Sequence, residues 1–155
     1  MIDRSESAEP ADVLLVEPSE ERARHTRDGF SDTGATTTMH VVSDGDEALA
    51  FLEGRDDHAD APAPCLVVLR LGLPAPGPDG LAVLERMAEQ TTLARIPVVA
   101  TVDEPEDDVV TDAYNRGANA VLPTPSEPAA LAETMARVAE FWIATARLPN
   151  RIDRL

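Results

Sequence analysis

The chain contains no lysine. All thirteen of its basic side chains are arginine, set against 29 acidic ones for a formal net charge of −16. An acid-rich, lysine-free composition suits a protein that stays soluble in concentrated salt, where screening confines repulsion to about 3 Å at 1 M. A GC-rich genome also exchanges lysine for arginine, but it does not account for the excess acid, so the composition reads as halophilic. A uniformly negative surface excludes nucleic acid and anionic membranes as partners. One cysteine, Cys65, excludes an internal disulfide, and its place in an apolar run marks it as buried filler. No apolar run approaches the roughly 20 residues of a membrane span. The first six residues, Met1-Ile2-Asp3-Arg4-Ser5-Glu6, lack the apolar core of a secretory signal. A cytoplasmic protein is expected.

Several kinds of site are missing as well. His25, His40 and His58 have no metal-ligand spacing. The acidic clusters at residues 56–60 and 103–108 lack the glycine and ligand order of a calcium loop. The first reads as a solvated loop and the second as a helix N-terminus favoured by the dipole. The loop Leu73-Pro74-Ala75-Pro76-Gly77-Pro78-Asp79-Gly80 carries three prolines, which remove the N–H donors that a phosphate-cradling loop needs. No Ser/His/Asp or Cys/His pattern is present. The expectation is no catalytic residue, no metal, no cofactor and no enzymatic activity.

What remains is a globular chain of 155 residues, 43% hydrophobic, enough for one domain with a real core. Residues 1–10 read as a loose polar tail, 11–149 as the domain, and 150–155 as a second tail. Asp12-Val13-Leu14-Leu15-Val16-Glu17 is a short apolar run closed by an acid, as in a strand buried on both faces. A helix follows over 19–30 with Ser19 as N-cap. Residues 36–42 alternate like an edge strand, and 44–52 form a short helix. A buried strand over 65–69 leads into the Pro/Gly loop and a helix over 81–89. Ile96-Pro97-Val98-Val99-Ala100 is the fourth strand, its proline near the start, where a missing N–H does least harm. Asp103-Glu104-Pro105-Glu106 looks like a capping box opening a helix that runs to about Arg116. Asn119-Ala120-Val121-Leu122 is a fifth strand. The last helix starts near Ser126, with Leu131, Met135, Val138 and Trp142 in one stripe. Five strands alternating with five helices make a doubly wound parallel sheet, a pattern shared with flavodoxin-like and small nucleotide-binding domains.

The motifs arbitrate. Leu14-Leu15-Val16-Glu17, Val41-Val42-Ser43-Asp44-Gly45-Asp46-Glu47-Ala48-Leu49, Leu73-Pro74 followed by Asp79-Gly80, Ile96-Pro97-Val98-Val99, and Gly117-Ala118-Asn119-Ala120 occur in the order and spacing of one family. Together they resemble the receiver domain of response regulators, over nearly the whole chain. The resemblance implies a CheY/flavodoxin-like α/β fold: a single five-stranded parallel sheet of strand order 2-1-3-4-5 with five helices. It also implies a role in two-component phosphorelay signalling, with a histidine kinase or another regulator as partner. The tail from Phe141-Trp142 to Arg147-Leu148-Pro149 is similar to the stand-alone archaeal and phytochrome-associated regulators.

At the positions that carry the family's chemistry the sequence departs from it. The resemblance places the phosphate-accepting aspartate at Arg70, whose guanidinium stays protonated and cannot attack phosphorus. Of the two adjacent acids that hold Mg²⁺ after the first strand, Glu17 is kept and the second is Pro18, which offers no ligand. The hydroxyl residue after the fourth strand falls at Val102, or at Thr101 if that strand is one residue shorter. The phosphate-pairing lysine falls at Thr124 and the aromatic switch residue at Val121. Loss of acceptor, cation and metal ligand together leaves no phosphoryl-transfer site, because that chemistry is positioning plus charge neutralisation. This pattern is that of a degenerate pseudo-receiver.

Arg70 either pairs with Glu17, taking the place of the metal, or is a drifted, partly exposed loop residue. An acid at a strand end without metal seeks a cation, which favours the pairing. Two rivals stand beside this reading. One is a working receiver with an unexpected acceptor such as Asp79 or Asp103, and the other is a nucleotide or small-molecule binder on the same fold. Function without phosphate would lie on a surface. Phe141, Trp142 and Ile143, about 100° apart on a helix, cannot all face the sheet. That predicts a homodimer through the C-terminal helix face, unless Leu148-Pro149 folds back to cover it.

If the charge balance is an adaptation to salt, the melting temperature rises between low salt and molar KCl, as screening relieves the repulsion of a −16 chain. A flat or falling curve would leave GC bias as the explanation of the composition.

Overall fold

The computed structural model describes residues 10–34 and 36–145. Five strands, β1 (Ala11–Val16), β2 (Thr37–Val42), β3 (Leu66–Arg70), β4 (Val98–Val102) and β5 (Ala120–Pro123), alternate with five helices. The helices are α1 (Glu20–Ser31), α2 (Gly45–Glu53), α3 (Gly80–Ala88), α4 (Asp107–Asn115) and α5 (Pro128–Ala139). The strands pair in parallel in the order β2-β1-β3-β4-β5, as expected from the sequence. All five therefore point their carboxyl ends at one rim of the sheet.

The apolar runs are continuous because the sheet is covered on both faces. In β1, Leu14 and Val16 pack beneath α2 and α3, while Val13 and Leu15 pack beneath α1 and α5. In β3, Val67 and Leu69 face the first layer and Leu66 and Val68 the second. Cys65 is half-buried, just ahead of β3, rather than fully enclosed. The second layer is tight because Gly29 of α1 meets α5 directly. A Cβ on Gly29 would stand 2.3 Å from the Ala132 carbonyl oxygen. Gly80 does the same for α3, where a Cβ would stand 2.5 Å from the Leu71 Cα. Its N–H donates to the Leu71 carbonyl, so the start of α3 is clamped to the end of β3.

Local chemistry sets most boundaries. Ser19, Asp44 and Asp79 each accept a backbone N–H and start α1, α2 and α3. Four expectations need correction. β4 begins at Val98 rather than Ile96, and it runs on through Val102. The capping box at residues 103–106 does not form: α4 begins at Asp107, and its N-cap Glu106 makes no side-chain bond. α5 begins at Pro128, where Glu127 accepts from Ala129 and Ala130 and a proline fits the first turn. At Glu140 the last helix loosens into a π turn, Glu140–Thr145. That turn rotates Trp142 and Ile143 onto the second layer and leaves Phe141 exposed. The expected fold-back of Leu148 and Pro149 lies outside the described residues, as do the two tails. No helix among the described residues is long and apolar enough to cross a membrane.

Candidate functional site

The carboxyl rim of the sheet gathers four charged side chains and a threonine from five parts of the chain. Glu17 follows β1 directly and is buried although it is an acid, with 6% of its surface exposed. Its carboxylate accepts from the Ser19 N–H (3.1 Å) and from Nε of Arg22 (3.3 Å). Pro18 is exposed and turns the chain from β1 into α1. Arg22 sits in the first turn of α1, which overhangs the strand ends. Besides Glu17, it donates to the Thr124 hydroxyl (2.9 Å) and to the Pro125 carbonyl (3.4 Å). One guanidinium thus ties the end of β1 to the end of β5.

A second guanidinium makes the other tie. Arg70 is the last residue of β3, with its side chain 18% exposed. Its Nη2 donates to the Asp103 carboxylate at 2.5 Å, and its Nε lies 4.0 Å from Glu17. Its Nη1 is buried without a hydrogen-bond partner. Bonding to Asp103 raises the Arg70 pKa against the opposing effect of burial, with Glu17 adding to the rise. In return, Arg70 holds the Asp103 carboxyl below the usual carboxylate range. Two guanidinium and two carboxylate groups, linked in the order Asp103–Arg70–Glu17–Arg22, make the cluster neutral.

The structure therefore brings Glu17, Arg70 and Thr124 together, with a different emphasis from that read in the sequence. The nearer partner of Glu17 is Arg22, and the nearer partner of Arg70 is Asp103. Asp103 pairs with Arg70, and the Glu106 N–H that the capping box would use donates instead to the Glu104 carbonyl (3.0 Å). Thr124 is buried, and both its N–H and its hydroxyl donate to the Val102 carbonyl (2.8 and 3.3 Å). Val102 packs in the layer beneath α3 and α4, whereas Thr101 is the register partner of Arg70 and is also buried. Because β4 runs through Val102, the shorter strand that would move the hydroxyl position to Thr101 is not the one observed. Val121 lies on the outer strand, and its N–H donates to the Tyr114 hydroxyl (3.2 Å). Asp79 caps α3 by accepting from Ala82 (2.9 Å). The histidines stand apart from the rim: His25 pairs with Glu21 and Asp28 along α1, and His40 with Asp12.

Arg22 is the residue of the rim cluster that sequence reasoning missed. Its signal was present in outline: with Ser19 as N-cap, position 22 is the third helical residue, over the rim where anionic groups gather. Nothing in the periodicity says that a side chain there reaches across to β5.

A divalent cation at this rim would need several oxygen ligands. Glu17 already serves two guanidinium groups and a backbone N–H, Pro18 has no ligand, and Arg70 brings a positive charge. Among the described residues, no group of three or more His, Cys, Asp or Glu side chains could hold a metal ion. The residues present do not fit the metal of the receiver pattern.

The chain is 32% identical to the response regulator Rcp1 of Synechocystis sp. over 145 residues, which is 93% of this chain and 97% of that protein. Its structure is similar to that of the phosphorylated cyanobacterial phytochrome response regulator RcpA, with a TM-score of 0.86 at 29% identity, covering 92% of this chain and all of that one. It is also similar to the Mn²⁺-bound form of Rcp1, with a TM-score of 0.85 at 29% identity, covering 91% of this chain and all of that one. No family model matches the chain.

The geometry makes a quantitative prediction. A double-mutant cycle of Arg70→Met with Asp103→Asn should show coupling of about 0.5–1 kcal/mol, because Asp103 is mostly exposed. Arg22→Met with Glu17→Gln should couple more strongly, at about 1–3 kcal/mol, because Glu17 is buried. The folded-state pKa of Asp103 is depressed. The first coupling is therefore fully present above the unfolded carboxylate range and lost as pH falls through the folded value. Additive mutations at neutral pH would mean that these contacts carry no energy.

Proposed function

The chain belongs to the response-regulator family, as a CheY-like receiver domain, and within that family we propose that it is a stand-alone pseudo-receiver that signals without taking phosphate. The observation that carries this reading is the neutral Asp103–Arg70–Glu17–Arg22 cluster. In this reading Arg70 stands at the acceptor position, Pro18 at the second metal-ligand position, Thr124 at the lysine position, Val102 at the hydroxyl position and Val121 at the switch position. Arg70 and Arg22 supply positive charge where a working receiver uses a metal ion and a lysine. They do so permanently, so the rim is held in one electrostatic state with no phosphoryl group to lose.

The rival acceptors are both engaged, Asp79 as the cap of α3 and Asp103 as the partner of Arg70. A nucleotide would have to displace buried ion pairs to reach the rim. The domain spans residues 11–149, and it works by contact with a sensor kinase or another regulator of a two-component pathway, in the cytoplasm of a halophilic, archaeal cell. Neither nucleic acid nor membrane is a partner. A second copy docks on the C-terminal face, where Phe141 is 54% exposed beside a Trp142 that is anchored to the core. Such a contact would bury an aromatic ring that the π turn leaves in water.

Two outcomes are expected. Incubation with acetyl phosphate and Mg²⁺ leaves the intact mass unchanged, and Arg70→Asp alone does not restore labelling, since Pro18 and Thr124 still lack the ligand and the cation. A hydroxylamine-labile gain of one phosphate in the native chain would overturn the pseudo-receiver reading. In sedimentation at molar KCl the native chain runs as a dimer and Phe141→Ala shifts it to monomer. A native monomer at every concentration would remove self-association and leave only a heterologous partner for that face.

A further inference from the structure

The two edges of the sheet are finished differently. β5 closes one of them. The Thr124 N–H donates to the Val102 carbonyl, so alternation along the strand turns Val121 and Pro123 away from β4. The Val121 N–H donates to the Tyr114 hydroxyl (3.2 Å), and Pro123 has no N–H to offer. β2 makes the other edge and has neither device. The Ala11 N–H donates to the Thr36 carbonyl and the Glu17 N–H to the Val42 carbonyl, both at 3.0 Å. Alternation between those bonds turns Thr38 and His40 towards β1 as well. Thr37, Met39 and Val41 are left with N–H and C=O pointing outward. Among the described residues, nothing bonds them there.

Edge strands are ordinarily guarded against further pairing by charge, by proline or by a bulge. β2 has none of these. It pairs with β1 in unbroken register, and residues 33–43 are the longest stretch of this −16 chain without an aspartate, glutamate or arginine. Thr37, Thr38, Val41 and Val42 are β-branched, the type that suits an extended, half-buried surface. The one titratable side chain, His40, is turned onto Asp12 of β1 (3.0 Å) and the ring of Phe51 in α2. Met39 and Val41 rest half-buried on the second layer and hold the strand in place. Acids return at both ends of the uncharged stretch, Asp32 before it and Asp44 after it.

We propose that the β2 edge is a docking site for an extended segment of a partner protein, which joins the sheet as a sixth strand and carries uncharged side chains between basic ends. Backbone bonds to Thr37, Met39 and Val41 supply the affinity, and pairing of the basic ends with Asp32 and Asp44 selects the partner. A second copy of this chain is the poorer fit. Antiparallel pairing would lay the Asp32 end of one β2 against the Asp44 end of the other, and parallel pairing would set like ends together. Both arrangements put acid against acid. The site lies at the opposite edge of the sheet from β5. It stands apart from the pseudo-receiver reading, because this edge is the same whether or not the rim takes phosphate.

Amide hydrogen exchange of the full chain decides, with a synthetic peptide of alternating threonine and valine and an arginine at each end as the probe. In the lowest KCl concentration that keeps the chain folded, the peptide should slow exchange at Thr37, Met39 and Val41 about tenfold or more, and saturably. The amides of β3 and β5 should exchange as before. The same peptide with glutamate at each end should bind about tenfold more weakly, a difference that molar KCl removes. Thr37→Pro deletes one outward N–H at a place where an edge strand tolerates proline, and it should weaken binding about fivefold. Absence of protection at the three amides up to millimolar peptide would overturn the proposal. So would equal binding of the two peptides at low salt, which the native chain reports even if Thr37→Pro fails to fold. Protection of the same amides that grows with protein concentration, without peptide, would replace the partner with a second copy and overturn it too.

Discussion

A buried carboxylate that must be paired is the constraint on which the rest of this rim depends. Glu17 is placed by β1 at the carboxyl edge of the sheet, 6% exposed, where an unpaired charge costs several kcal/mol. Two arginines meet that cost from opposite sides, and each then reaches a further element. Arg22 carries the link to Thr124 after β5, and Arg70 carries it to Asp103 after β4. The ends of four strands are thereby joined through one acid. A parallel sheet supplies that convergence, because all its strands finish on the same rim.

The same arrangement explains what the rim can and cannot do. Guanidinium groups stay charged at any physiological pH, so the positive charge here neither comes nor goes. A phosphorelay site needs an attacking carboxylate and a displaceable cation, whereas this rim holds two arginines already paired with its carboxylates. In the pseudo-receiver reading, what a phosphorylated receiver achieves transiently is replaced by a permanent network, and regulation passes to whatever binds the surface.

Much of the fold was legible in the residues. The continuous runs at Val13–Val16 and Leu66–Leu69 announced strands covered on both faces, and Ser19, Asp44 and Asp79 announced three helix starts. The positions of Glu17 and Arg70 on one rim followed from the same pattern, and that of Thr124 from the resemblance. What was not legible is which long side chain reaches which partner. Asp103 carried a sound local signal for a cap, yet its carboxylate pairs with Arg70 of β3, a contact 33 residues distant in sequence, and the helix starts four residues later. Arg22 stands on a helix and acts on a strand end more than a hundred residues away, which no periodicity encodes. The π turn at Glu140–Thr145 was likewise invisible, because no local breaker marks the point where Trp142 and Ile143 pack on the core.

The central claim is that Arg22 and Arg70 are held in place by this rim's own carboxylates and leave no room for a divalent cation. Nitrogen-15 NMR of the arginine side chains tests it most directly, by following the Nε–H signals of both residues during titration with Mg²⁺ in molar KCl. Slow exchange with water for both signals, unmoved by Mg²⁺ at millimolar concentration, is the predicted result. Fast exchange, or saturable shifts as Mg²⁺ displaces either guanidinium from Glu17, would contradict the account.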